Sequence, residues 1–160
     1  MSRGQVIQFS AKPADTHAAV LQDELQRVVG RIVAHATIPL HQNYAGTTIT
    51  LGGAGTATAA AMASAVDFAD AGMDLVRAVV YGTPPAGKVT VNVRNLTTGK
   101  IVATAALPGG AAAGIFTGPW MHLTPAGGDE HLQVELVGTA GHQPVLNTVH
   151  LQGATANAKP

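Results

Sequence analysis

The chain has 160 residues, a formal net charge of zero and 11% charged residues, against about 25% in an ordinary soluble domain. That length suits one domain with an appendage rather than two full domains. The charge balance excludes the basic stripe of a nucleic-acid binder and the composition of a disordered chain, and the lack of cysteine excludes disulfides, thiolate metal sites and cysteine nucleophiles.

The N-terminal stretch "MSRGQVIQFSAKPADTH" has no apolar run of signal-peptide length, and nowhere does the chain approach the ~20 apolar residues of a membrane span. No membrane insertion is expected, and any exit from a cell occurs without a classical signal or by lysis within an assembled particle. Residues 1–14 read as extended, with "QVIQF" as a short strand or arm. Pro13 followed by Asp15 and Thr16 marks a helix start, with either of the last two as N-cap. Apolar residues then recur at Ala18, Leu21, Leu25, Val28 and Ile32, an a/d seam of about two heptads. Gly30 weakens this helix by about 1 kcal/mol relative to Ala. Pro39 ends it, with the last turn near His35 or Ala36. A helix of ~20 residues is marginal alone in water, so the seam must be buried, on its own sheet or against other chains.

From Ile32 to Val66 there is no Asp, Glu, Lys or Arg. Within this stretch "TTITL" reads as a strand, "GGAG" as a break and "TATAAAMASAV" as a strand of small side chains. Beyond it the β signal is clear: "DLVRAVVYG", "KVTVNVRNL", "IVATAAL", "IFTGPWMHL", "EHLQVELVG" and "PVLNTVHLQG". Gly99 in "NLTTGK" closes a hairpin turn, and Gly118-Pro119 interrupts an edge or bulged strand. Leu132, Val134 and Leu136 alternate with Gln133 and Glu135. With roughly eight strands and no helix between them, the expected fold is mainly β: an antiparallel jelly-roll-like β-sandwich preceded by one N-terminal amphipathic helix. The expected organisation is an attachment or oligomerisation unit over 1–43, the sandwich over 44–153 and a frayed tail over 154–160.

The chemistry-bearing motifs are few. "GGAGTAT" lacks the lysine of a phosphate loop, and no nucleophile elbow exists. The seven histidines include no pair at metal-ligand spacing on one strand or helix; His35 falls at the next seam position after Ile32. Asp67, Asp70 and Asp74 crowd a loop where Ca²⁺ binding competes with turn or cap chemistry. Glu130 and Glu135 are the only glutamates of the β region. Their spacing of five puts them on opposite sides of a strand, and Asp129 and Glu130 read as turn residues, so no facing carboxylate pair forms for acid–base work. No enzyme and no cofactor is expected. Trp120 is the only Trp and reads as core or as a stacking platform for sugar, with Tyr81 beside it as a candidate ligand residue. Asn95-Leu96-Thr97 matches a glycosylation sequon, which carries little without a secretory signal.

A helix of the form "LQDELQRVVGRIVAH" followed by a small Ala-, Gly- and Thr-rich β domain resembles virion proteins of tailed bacteriophages: short fibres, spikes, collar or adaptor proteins and capsid decoration proteins. The resemblance covers the whole layout and implies attachment or trimerisation through the N-terminal seam, assembly in a bacterial cytoplasm, and other virion proteins (capsid, portal or collar, tail) as partners. The stretch "AVDFADAGMDLVRAVVYG" with "VTVNVRNLTTGKIVATAAL" is similar to carbohydrate-binding jelly rolls, which implies a host-surface glycan as the alternative partner.

Overall fold

The computed structural model describes residues 36–52, 56–62 and 65–155. The seam residues Ala18, Leu21, Leu25, Val28 and Ile32, and with them the expected helix, lie outside the described residues. Nine strands follow in order: β1 (Ala36–Thr48), β2 (Thr58–Met62), β3 (Leu75–Thr83), β4 (Val89–Asn95), β5 (Ile101–Leu107), β6 (Gly114–Thr117), β7 (Met121–His122), β8 (Leu132–Gly138) and β9 (Val145–Ala154).

They form two antiparallel sheets. The first has the order β1-β9-β3-β6, with β7 also on β3; the second has the order β2-β8-β4-β5. The pairing is nested: β1 with β9, β2 with β8, β3 with β6 and β7, and β4 with β5. Alternation drives this arrangement. Val76, Ala78 and Val80 of β3 are fully buried, as are Val89, Val91 and Val93 of β4 and Leu132, Val134 and Leu136 of β8. One core cluster draws on both sheets, with Phe68, Leu107, Leu146 and Leu151 among its largest members. Each such side chain stabilises the fold by about 1.5–3 kcal/mol.

Three local expectations are corrected. Residues 36–43, expected in the attachment unit, belong to β1, which pairs with β9 through Ala36↔Gly153 and Ile38↔Leu151. Pro39 is tolerated because β1 is an edge strand with a register shift between Pro39 and His41. The second concerns "TTITL". β1 ends at Thr48, and Ile49 and Leu51 enter the core off the ladder, their N–H groups donating to Pro144 and His142 carbonyls at 3.0 Å. The third concerns the tail, where Ala154 is the last residue of β9 and pairs with Leu75.

The interruption at Gly118-Pro119 splits one expected strand into β6 and β7. Gly118 N–H donates to the Ala78 carbonyl at 2.8 Å. A Cβ on Gly118 would collide with the Thr104 backbone carbonyl of β5, so only glycine lets the two edges meet here. Gly99 takes φ 72° in the β4–β5 turn, as the hairpin signal requires.

Candidate functional site

The polar side chains separate into two groups. The first is buried around β4 and β8. Glu130 has the same parity as Leu132, Val134 and Leu136, so it points inward and is fully buried rather than lying in a turn. Asn95 likewise ends the inward row Val89, Val91, Val93. The Asn95 amide donates to Glu130 Oε2, and the Ala126 N–H donates to Glu130 Oε1 at 2.8 Å. Asn95 Oδ1 accepts from the N–H groups of Thr97 and Thr98 at 3.0 and 3.2 Å, which holds the hairpin turn. This knot ties the β7–β8 loop to the β4–β5 hairpin. It also withdraws Asn95 from its sequon, because the amide is buried and bonded. The alternation in "EHLQVELVG" was the signal for an inward Glu130.

On the opposite faces of the same strands, Arg94 Nε donates to both Glu135 oxygens at 2.8 and 2.9 Å, and Arg94 Nη1 donates to the Gly99 carbonyl at 2.9 Å. Thr104 Oγ1 donates to Asn92 Oδ1 at 3.0 Å. Glu130 and Glu135 therefore serve structure and do not face each other. A cleft of about 110 Å³ opens beside Asn95, lined also by Thr98, Lys100, His122 and Thr124, well below the ~300 Å³ at which ordinary ligand pockets begin.

The second group lies on the outer face of the first sheet. Alternation along β3 sends Arg77, Val79 and Tyr81 away from the core. Their neighbours on β9 are Gln152, His150 and Thr148, and Tyr81 pairs with Ile115 on β6. Trp120, in the break between β6 and β7, is 37% exposed, so it is not a core residue. The Arg77 guanidinium lies over its ring, 4.5 Å from the centroid, which brings the indole to this face. Tyr81 is 43% and Ile115 70% exposed. Arg77 and Tyr81 are four residues apart on one strand, about 13 Å at ~3.3 Å per residue. The structure thus brings the two candidate ligand residues, Trp120 and Tyr81, to one face.

The aspartates do not converge in this way. Asp67 Oδ1 accepts from Asp70 N–H at 2.9 Å, and the Asp67 carbonyl accepts from Ala71 N–H at 3.0 Å, which is cap chemistry for the 68–72 turn. Asp74 joins the sheet end, its carbonyl accepting from Leu123 N–H at 2.8 Å. Among the described residues no group of three or more His, Asp or Glu side chains is placed to hold a metal ion, and no helix is long and apolar enough to cross a membrane.

No protein-family model matches the chain, and neither does any curated protein. Among solved structures, the chain is similar to one from Bacillus endospore appendages, described as a novel family of disulfide-linked pili. The identity is 17%, the match covers 77% of this chain and 90% of that one, and the TM-score is 0.37.

Proposed function

We propose that this chain is a structural virion protein of a tailed phage, assembled in a bacterial cytoplasm, in which a jelly-roll sandwich is displayed and the N-terminal seam joins copies, as a homotrimer, or attaches them to other virion proteins. The observation that supports this reading most is the closure of the core. Among the described residues the two sheets share one core cluster, which holds Phe68, Leu107, Leu146 and Leu151. An amphipathic helix draws its stability from burying its apolar stripe, and a second copy supplies the matching seam. The first described strand begins at Ala36, shortly after the seam residue Ile32.

Light scattering on the full chain and on Leu25→Asp tests it. The native chain is expected at the mass of a trimer, and the variant at the mass of a monomer with unchanged β-sheet circular dichroism. A native monomer would count against self-association, and a variant that still assembles would remove the seam from the interface.

A second reading, compatible with the first, is favoured by the aromatic placement: a glycan-binding module that recognises a host surface. Trp120 and Tyr81 share one exposed face with polar neighbours on β9. Aromatic faces with a few polar groups beside them are the usual means of holding a sugar.

A further inference from the structure

We propose that the outer face of the first sheet binds a uronic-acid polysaccharide, with Arg77, seated on the Trp120 indole, as the anchor for a sugar carboxylate and Tyr81 as the stacking surface. This rests on the glycan-binding reading and names the class of glycan.

The charge on Arg77 carries the argument. Arg94, on an equivalent outward position of β4, is matched by Glu135. Among the described residues Arg77 has no carboxylate partner, and Nε donates to Gln152 Oε1 at 2.8 Å. Along the outer rows of β3, β9 and β6 no Asp or Glu occurs, so Arg77 is the single formal charge there. The indole below and the Gln152 amide beside it hold the guanidinium in place. Its terminal nitrogens remain without a protein acceptor among the described residues. A guanidinium presents paired N–H donors that match a carboxylate. Because the side chain is already held, little rotamer entropy remains to be lost on binding.

The surroundings select the rest of the ligand. One cation does not track a nucleic-acid backbone, whose affinity comes from many phosphate contacts. The apolar groups at Val79, Tyr81 and Ile115 are interleaved with Thr148, His150 and Gln152, unlike the apolar centre of a protein interface. The strand face, about 13 Å between Arg77 and Tyr81, suits a chain lying along β3, its C–H face on the Tyr81 ring and its hydroxyls toward β9.

The test uses the full chain, whose single tryptophan reports from the site itself. Polygalacturonate, alginate and hyaluronan are titrated against Trp120 fluorescence and run in affinity electrophoresis, beside neutral dextran and the non-sugar polyanion polyglutamate. At least one uronic-acid polymer is expected to shift Trp120 emission and retard the protein, while dextran and polyglutamate do neither. Arg77→Gln is expected to weaken retention roughly ten- to hundredfold, the loss of a charge-assisted hydrogen bond, and Tyr81→Ala about tenfold, with circular dichroism unchanged in both. Equal binding of dextran, or full retention by Arg77→Gln, overturns the acidic anchor and leaves the glycan reading standing. Equal binding of polyglutamate overturns the sugar. Retention by no polysaccharide overturns both readings.

Discussion

Arg94 and Arg77 occupy outward positions on inner strands of the two sheets, and their surroundings differ. Arg94 forks onto Glu135 and reaches the Gly99 carbonyl, closing the β4–β8 face and the adjacent turn. Arg77 rests on an indole and one amide, with no carboxylate beside it among the described residues. The same contrast runs through the rest of each region. Around β4 and β8, Asn92, Asn95, Glu130 and Glu135 are buried and bonded to other protein groups. On the outer face of the first sheet, Tyr81 and Trp120 are exposed and Arg77, Thr148, His150 and Gln152 are half-buried. Where polar side chains satisfy one another, they specify a fold; where they face water, they remain available to a partner.

If that contrast holds, substitutions should divide into those that cost stability and those that cost binding. The largest loss is expected for Glu130→Ala. It leaves the buried Asn95 amide and the Ala126 N–H without acceptors, a cost of about 3–5 kcal/mol in urea unfolding. Glu130→Gln should still lose ~1–3 kcal/mol, because its amide meets two donors and Asn95 cannot flip without abandoning Thr97 and Thr98. A neutral outcome for both would refute the buried knot. Next comes Gly118→Ala, expected to cost about 2 kcal/mol as β6 and β5 are pushed apart; a loss confined to a few tenths would mean the edge yields freely. Glu135→Gln should cost about 1 kcal/mol, since Arg94 is partly exposed and its pairing is screened. The smallest change is expected for Arg77→Gln, under about 1 kcal/mol from the lost cation–π contact. A larger destabilisation there than for Glu135→Gln would reverse the comparison and make Arg77 a structural residue.

Much of the sheet was legible because alternation is a local property. Leu132, Val134 and Leu136 against Gln133 and Glu135 predict the faces of β8 without knowledge of its neighbours, and Gly99 predicts its turn. The strand over 36–48 was not legible. Pro39, His41 and the polar run at Gln42 and Asn43 look like a linker, and they become a strand only because β9 lies alongside with an open edge. Glu130 was misjudged for a related reason. Next to Asp129 and two glycines it looks like a turn residue, while its burial depends on Asn95, 35 residues earlier, and on the Ala126 N–H. Trp120 was ambiguous, since a lone indole in a β-sandwich is more often core than platform, and its placement is settled only when Arg77 is seen on top of it.

By itself, then, the sequence determined the β class, most strand positions, the alternating core and the absence of thiol chemistry. These follow from composition and from a two-residue period that each strand carries within itself. The tertiary structure alone decided which strands pair, that Asn95 and Glu130 meet inside the domain, and that Trp120, Arg77 and Tyr81 share one outer face. Those contacts join residues far apart in the chain, and they are set by sheet register and sheet-on-sheet packing, which no local pattern encodes.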